Sequence, residues 1–267
     1  MRLWNLHRGT APLVVDVPHA GTFVPDAITL RMTAAGRVVA DTDWHVEKLY
    51  AFARDASVTL LAATHSRYVV DLNRDPSGAA LYPGADNTEL CPTRTFANEP
   101  IYADGEAPAT VEIEARQRAF FAPYHATLQA ELDRVRALHG YAILLDGHSI
   151  LPEVPRFFAG RLPDLNLGTA DGASCDAAVA KIAVNVLADA ASFSHIVNGR
   201  FKGGYVTRHY GDPEHGVHAL QLEMAQSAYM DETPPFAWEA ARAQALIHVL
   251  ERLVVRLAEW RPAGRAA

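Results

Sequence analysis

The sequence predicts an α/β fold in a single domain: a mixed sheet, parallel at its centre and flanked by helices. Three observations predict it. Short β-branched or apolar runs alternate with longer segments of helical periodicity. The run 141–145, Tyr-Ala-Ile-Leu-Leu, is apolar without a break, as suits a strand covered by helices on both faces. Across the 267 residues no composition break, internal repeat or low-complexity linker divides the chain, and this length buries one sizeable core, set at about residues 12–260.

The elements follow in order. Leu13-Val14-Val15-Asp16-Val17 reads as a buried strand stopped by Pro18. Thr42 offers an N-cap to a helix starting near Asp43, with Val46, Leu49, Tyr50 and Ala53 on its apolar face. Residues 57–63 and 68–72 are further strand candidates. Residues 73–108 are rich in Pro, Gly, Asn and Asp, and so long a loop inside a compact domain is usually functional, a lid being one such use. Thr110 caps a long helix ending at His139, with Gly140 as its stop. After strand 141–145, Ser174 opens a helix to about Ala190. Strands at 195–197 and 219–224 and a helix over about 236–260 complete the fold, with 262–267 as a frayed tail.

Composition excludes several functions. Net charge is −7, which opposes general binding to a phosphate backbone. No apolar run approaches the length of a membrane span, and the first residues carry no leader pattern. Two cysteines, Cys91 and Cys175, build no disulfide framework and fit no thiolate metal motif, so a reducing cytoplasm is the expected compartment.

The chemistry gathers at strand ends. Pro18-His19-Ala20-Gly21 follows the first predicted strand and Asp146-Gly147-His148-Ser149 the central one, and the carboxyl ends of such strands line the ligand crevice. His19 and His148 can therefore converge as metal ligands, against the plainer reading that each bonds its own turn. A third ligand is expected from Asp41-Thr42-Asp43; Asp43 is the choice, while Asp41 or Thr42 caps the helix. Glu223, in the apolar run Leu220-Gln221-Leu222-Glu223-Met224, is a desolvated acid suited to general-base work, or else half of a structural ion pair. Arg67, Asn73, Arg74 and Arg208 offer forks and an amide for a carboxylate, or surface salt bridges. His215 and His218 are read as loop structure or a substrate contact, and Cys91 lacks a base that would make it a nucleophile. Nucleophile-elbow, phosphate-loop, dinucleotide and His-Glu-x-x-His motifs are all absent.

Together, Pro18-His19-Ala20-Gly21, Asp41-Thr42-Asp43, Asp71-Leu72-Asn73-Arg74-Asp75, Asp146-Gly147-His148-Ser149 and Leu222-Glu223-Met224 resemble the N-formylglutamate amidohydrolase family, over about residues 12–260. The resemblance implies a zinc-exopeptidase-like fold and a divalent metal, zinc by expectation, held by His19, Asp43 and His148. It implies Glu223 as base, Asn73 and Arg74 on a substrate carboxylate, and Arg67 and Arg208 as further anion contacts. The pattern of the related carboxypeptidases has an acid three residues after its first histidine; here there is none, so Asp41 stays in reserve as ligand. The implied reaction is hydrolysis of N-formyl-L-glutamate to formate and L-glutamate, ending a histidine-degradation route. The expected partner is a small dicarboxylate, with no nucleic acid and no membrane, for a monomer or homo-oligomer. Removal of a larger acyl group, peptide trimming, and non-catalytic binding of an acidic metabolite are the alternatives.

Overall fold

A computed structural model describes residues 2–81, 84 and 86–262. Seven strands, β1 Trp4–His7, β2 Leu13–Val17, β3 Thr59–Ala63, β4 Ala142–Ile150, β5 Leu165–Gly168, β6 His195–Val197 and β7 Val217–Ala225, form one sheet in the order β1-β3-β2-β4-β7-β5-β6. β3, β2, β4 and β7 run parallel, β1 lies antiparallel on β3, and β5 lies antiparallel on β7 while pairing in parallel with β6. The mixed, centrally parallel sheet is therefore as the sequence predicts. The helices are α1 Asp26–Thr29, α2 Ala34–Arg37, α3 Val46–Leu49, α4 Thr110–Arg116, α5 Ala122–His139, α6 Ala177–Ala188, α7 Tyr205–Tyr210 and α8 Ala240–Glu259.

Strand alternation sorts the core into two layers. Leu13, Val15 and Val17 of β2 and Ile143 and Leu145 of β4 face one side, against Leu49 of α3, Val179 and Ala183 of α6, and Leu246, Leu250 and Leu253 of α8. Val14, Ala142 and Leu144 face the other, against Tyr124, Leu128, Leu132 and Val135 of α5 and Val206 and Tyr210 of α7. Each fully buried Leu or Val contributes about 1.5–3 kcal/mol relative to exposure. Burial on both faces explains why β2, the first half of β4 and β7 are mainly apolar without strict alternation.

Several expected boundaries move, each for a local reason. Thr42 caps no helix: its hydroxyl donates to Val39 O at 2.7 Å, and the expected long helix is the single turn α3 followed by a 3₁₀ turn at Ala51–Arg54. His45, at φ 62°, is left-handed and keeps the helix from starting at Asp43, whose side chain turns inward instead. Residues 68–72 are buried turns, not a strand; Val69 N donates to Ser66 O and Asp71 N to Leu90 O. The helix from Thr110 to His139 is broken by a π turn at Gln117–Phe121, directly before Pro123, which has no N–H for the carbonyl four residues back. Ala109, not Thr110, is its cap residue, and Gly140 ends it at φ 77° as expected. Asp176 rather than Ser174 caps α6, because the Ser174 hydroxyl donates to Ala219 O. α8 begins at Ala240 rather than 236, and β1, β5 and α7 are elements the sequence reading lacked. Within 73–108 no helix or strand occurs among the described residues. The tail at 263–267 and Met1 lie outside the described residues.

Candidate active site

Two facts of topology build the site. β2 stops at Val17, so Pro18 turns His19 over the carboxyl end of the sheet, where its carbonyl accepts Asp43 N at 3.0 Å. β4 and β7 are adjacent and parallel with His148 in register with Glu223. Four groups far apart in sequence therefore meet at the carboxyl end of neighbouring strands.

His19, Asp43 and His148 are 2, 1 and 2% exposed, and one ligand-type atom from each lies within 4.8 Å of the others. His148 Nδ1 is 2.9 Å from Asp43 Oδ2, which also accepts Ser149 N at 3.1 Å. His19 Nδ1 lies 3.8 Å from the same oxygen. Behind His19 stands a second carboxylate, with Asp71 Oδ1 hydrogen-bonded at 2.7 Å to Nε2; behind His148, Asp146 Oδ1 lies 2.8 Å from Nε2 as a charge contact without a hydrogen bond of its own. A histidine held from behind by a carboxylate, its other nitrogen aimed at a shared point, is the arrangement that orients metal ligands. Two buried polar atoms at that point, His19 Nδ1 and Asp43 Oδ1, have no hydrogen-bond partner. A divalent cation accepting two imidazole nitrogens and a carboxylate would satisfy both, so the residues fit such an ion.

The electrostatics are opposed by design of the neighbours. Arg67 is buried, donates from Nη2 to Asp71 Oδ2 at 2.6 Å, and brings Nη1 to 3.7 Å from Asp43 Oδ1. Burial by itself would raise Asp71, but Arg67, Arg74 and His19 hold it well below the usual carboxylate range. Burial and the Arg67 charge push His19 down, favouring the neutral ring that ligates metals. Glu223 moves the other way: burial, reinforced by the Asp43 and Asp146 charges and opposed by His148 and Arg67, pushes it up to about 8. No ion pair to Glu223 occurs among the described residues, so the structural ion-pair reading does not hold for it.

A cavity of about 70 Å³ opens over these groups and is lined by His19, Asp43, Arg67, Asn73, Arg74, His148 and Glu223. Asn73 sits on this lining with its amide engaged by the protein: Oδ1 accepts Val206 N at 2.7 Å, and Nδ2 lies 2.9 Å from His148 Nε2. Gly204 has to be glycine, since a Cβ there would meet the Asn73 amide at 2.4–2.6 Å. Arg74 reaches Thr88 Oγ1 at 2.9 Å along the wall. Arg208 is not brought in: it is exposed on α7, where Val206, Thr207 and Tyr210 take the buried face, and its Nε donates to Gly203 O. Arg200, Thr88 and Gln221 line the cavity in its place. Arg200 had no signal in sequence; the pairing of Asp146 with His148 did, because residues two apart on a strand share a face.

The remaining candidates fall elsewhere. Asp41, held in reserve as a ligand, is outside the cluster; its Oδ2 accepts the Tyr68 hydroxyl at 2.7 Å and Phe96 N at 2.9 Å, and burial pushes it up to about 6. His215 is an exposed loop residue bonded to Asp212, while His218 is buried on β7 with its Nδ1 accepting Asp176 N. Cys91 is buried, its thiol donates to Val69 O, and burial pushes it up to about 11, away from a nucleophile's range.

Known proteins resemble this chain over nearly its whole length. The family model described as N-formylglutamate amidohydrolase matches residues 11–230. The chain is 46% identical over 259 residues to an N-formylglutamate deformylase of Pseudomonas putida, covering 97% of each. It is 47% identical over 256 residues to one from Pseudomonas aeruginosa, covering 96% of each. The crystal structure of N-formylglutamate amidohydrolase from Ralstonia eutropha JMP134 superposes with a TM-score of 0.82 at 28% identity, covering 97% of this chain and 98% of that one. The structure of a gene product from Agrobacterium tumefaciens shares the fold at a TM-score of 0.74 and 17% identity, covering 96% and 95%.

Proposed function

Because this chain belongs to the N-formylglutamate amidohydrolase family, we propose that it hydrolyses N-formyl-L-glutamate to formate and L-glutamate, using a divalent metal held by His19, Asp43 and His148. The observation that carries the reading is the buried His19–Asp43–His148 group, in which His19 Nδ1 and Asp43 Oδ1 make no hydrogen bond, set beside Glu223 in one cavity. Zinc is our choice of metal from the donor set, and when bound it supplies Lewis acidity toward water and the formyl oxygen.

The chain's own residues do the rest. Glu223 accepts the proton of the attacking water; a carboxyl raised to about 8 is a stronger base than an ordinary one and can hand the proton on. As the C–O bond forms and the C–N bond breaks, that proton goes to the leaving amine of glutamate. Arg67, near Asp43 and lining the cavity, offers positive charge to the oxyanion. Arg74 is the group we assign to a substrate carboxylate, with Asn73 holding His148 and the 204–206 backbone in place. Asp71 keeps the His19 ring turned toward the ion, while Asn73, with the Asp146 charge beside it, does so for His148. In this reading the substrate is a small dicarboxylate, the reaction closes a histidine-degradation route, and the compartment is the cytoplasm. None of the described helices is long and apolar enough to cross a membrane.

The test is formate release from N-formyl-L-glutamate, run with N-acetyl- and N-succinyl-L-glutamate, with and without chelator. Formate release that stops with chelator and returns with zinc is expected. Turnover of only a longer acyl group moves the substrate while keeping the site, and no turnover by folded, zinc-treated protein leaves the binding reading in its place.

A further inference from the structure

We propose that Asp41 is a positioning residue for substrate selection: by fixing Phe96 it sets the size of the acyl group that the cavity admits. The inference rests on the amidohydrolase reading above.

Asp41 is 7% exposed and does not line the cavity. Three neighbours nevertheless hang from it. Its Oδ2 accepts the Tyr68 hydroxyl and Phe96 N, and its backbone carbonyl lies 3.5 Å from Arg67 Nη1. Phe96 does line the cavity, and it belongs to the long segment without helix or strand. Irregular backbone holds a wall position only as well as its anchors do. The turn around Phe96 is closed by Thr95 N to Glu99 O and by Arg156 on Thr95 O, and the bond at Phe96 itself is a buried one to a carboxylate, about twice as strong as one between neutral groups.

The wall it holds stands next to the reacting groups. The Arg67 guanidinium carbon lies 4.9 Å from the centroid of the Phe96 ring, and Arg67 Nη1 is 3.7 Å from Asp43 Oδ1. On the far side Phe157 meets Phe96 edge-on, with centroids 5.0 Å apart. The ring is thus one side chain removed from a ligand carboxylate and packs against both a cation and a second aromatic. A formyl carbon carries only hydrogen, whereas an acetyl or propionyl group has to put its extra carbons beside the carbonyl, in space that Phe96 and Phe157 close. Asp41 acts at one remove, through the backbone of Phe96 and the seat of Arg67.

The test compares kcat/KM for N-formyl-, N-acetyl- and N-propionyl-L-glutamate in the full-length, zinc-loaded protein and its variants. Phe96→Ala is expected to raise the acetyl-to-formyl ratio by about 10- to 100-fold, the usual worth of a methylene's space in an apolar pocket. Asp41→Ala is expected to move the ratio the same way with no cavity atom changed. Asp41→Asn, which keeps an acceptor oxygen for Phe96 N, is expected to restore the wild-type preference. Asp41→Ser, leaving a short hydroxyl for the buried donors, replaces Asp41→Ala if that protein does not fold. The same ordering is expected in equilibrium affinity for N-propionyl-L-glutamate, measured by calorimetry on a Glu223→Gln background. Wild-type formyl turnover with unchanged ratios in the variants, or an equal fall for all three acyl groups, overturns this inference alone. A wild-type protein that leaves the formyl substrate untouched overturns it together with the amidohydrolase reading.

Discussion

Asp43 uses its two oxygens differently, and the site depends on that asymmetry. Oδ2 is engaged by His148 and by Ser149 N, while Oδ1 stays without a hydrogen bond. A carboxylate so divided holds one imidazole and keeps an acceptor for a cation. Glu223, lying in register with His148 on the next strand, accepts a long hydrogen bond from Gln221 Nε2 at 3.5 Å, and burial raises its affinity for a proton. Glu223→Gln removes the base and keeps shape, so formate release should fall by about 10²–10⁴-fold. Bound metal, measured by elemental analysis, should stay at the wild-type level, and wild-type turnover in that variant removes Glu223 from the chemistry. His148 and Glu223 were legible in sequence because a polar residue toward the end of a buried strand has few other reasons to be there, whereas Asp43 was picked from an expected helix head. Arg208 misled because a six-residue helix turns it outward, and a Gly-rich stretch before a strand does not show that turn.

Among the elements, the parallel core was readable and the loops were not. Strands 13–17, 141–145 and 219–224 announce themselves by short runs dominated by apolar residues, whereas Val69, Val70 and Leu72 are as buried as strand residues yet sit in turns and irregular backbone. Asp71, drawn to His19 and Arg67 between them, dictates that path. The long helix α5 is tied to this irregular segment through His125, whose Nε2 donates to Leu72 O at 2.9 Å while Nδ1 accepts the Tyr210 hydroxyl at 2.8 Å. Burial disfavours a charge on this ring and, against the pull of the Leu72 carbonyl, pushes His125 down to about 4 from an unfolded value of about 6.5. Between those values the unfolded chain binds the proton and the folded one does not. The stabilisation is therefore complete above pH 6.5 and is lost as pH falls toward 4, by about 3 kcal/mol. Scanning calorimetry from pH 7 to 4.5 should show Tm falling. His125→Gln, which donates and accepts without titrating, should start lower at pH 7 and fall less; an identical slope in the two proteins assigns the acid sensitivity elsewhere.

For the whole molecule, a metal that binds only when His19, Asp43 and His148 have been brought together binds only the folded chain. Its binding energy is then stability: at a free concentration 100 times Kd it adds about 2.7 kcal/mol. In a chain of this size that raises Tm by about 5–10 °C, since each kcal/mol shifts it by about 2–4 °C. Chelation should lower Tm by that amount and re-addition of zinc should restore it. His148→Ala should be indifferent to both, and an equal response in that variant would sink the ligand assignment.

The strand order carries a further consequence, for synthesis on the ribosome. β7 sits between β4 and β5, although it is the last strand in sequence. A growing chain that has already emitted β5 and β6 can pair them with each other but cannot join them to the sheet, because β7, the strand that links β5 to β4, is still to come. The final strand both fills that gap and delivers Glu223 beside His148. Until it emerges, the nascent polypeptide has an open sheet and an incomplete set of working groups, and a chain released before residue 217 is inert however well its first half has folded.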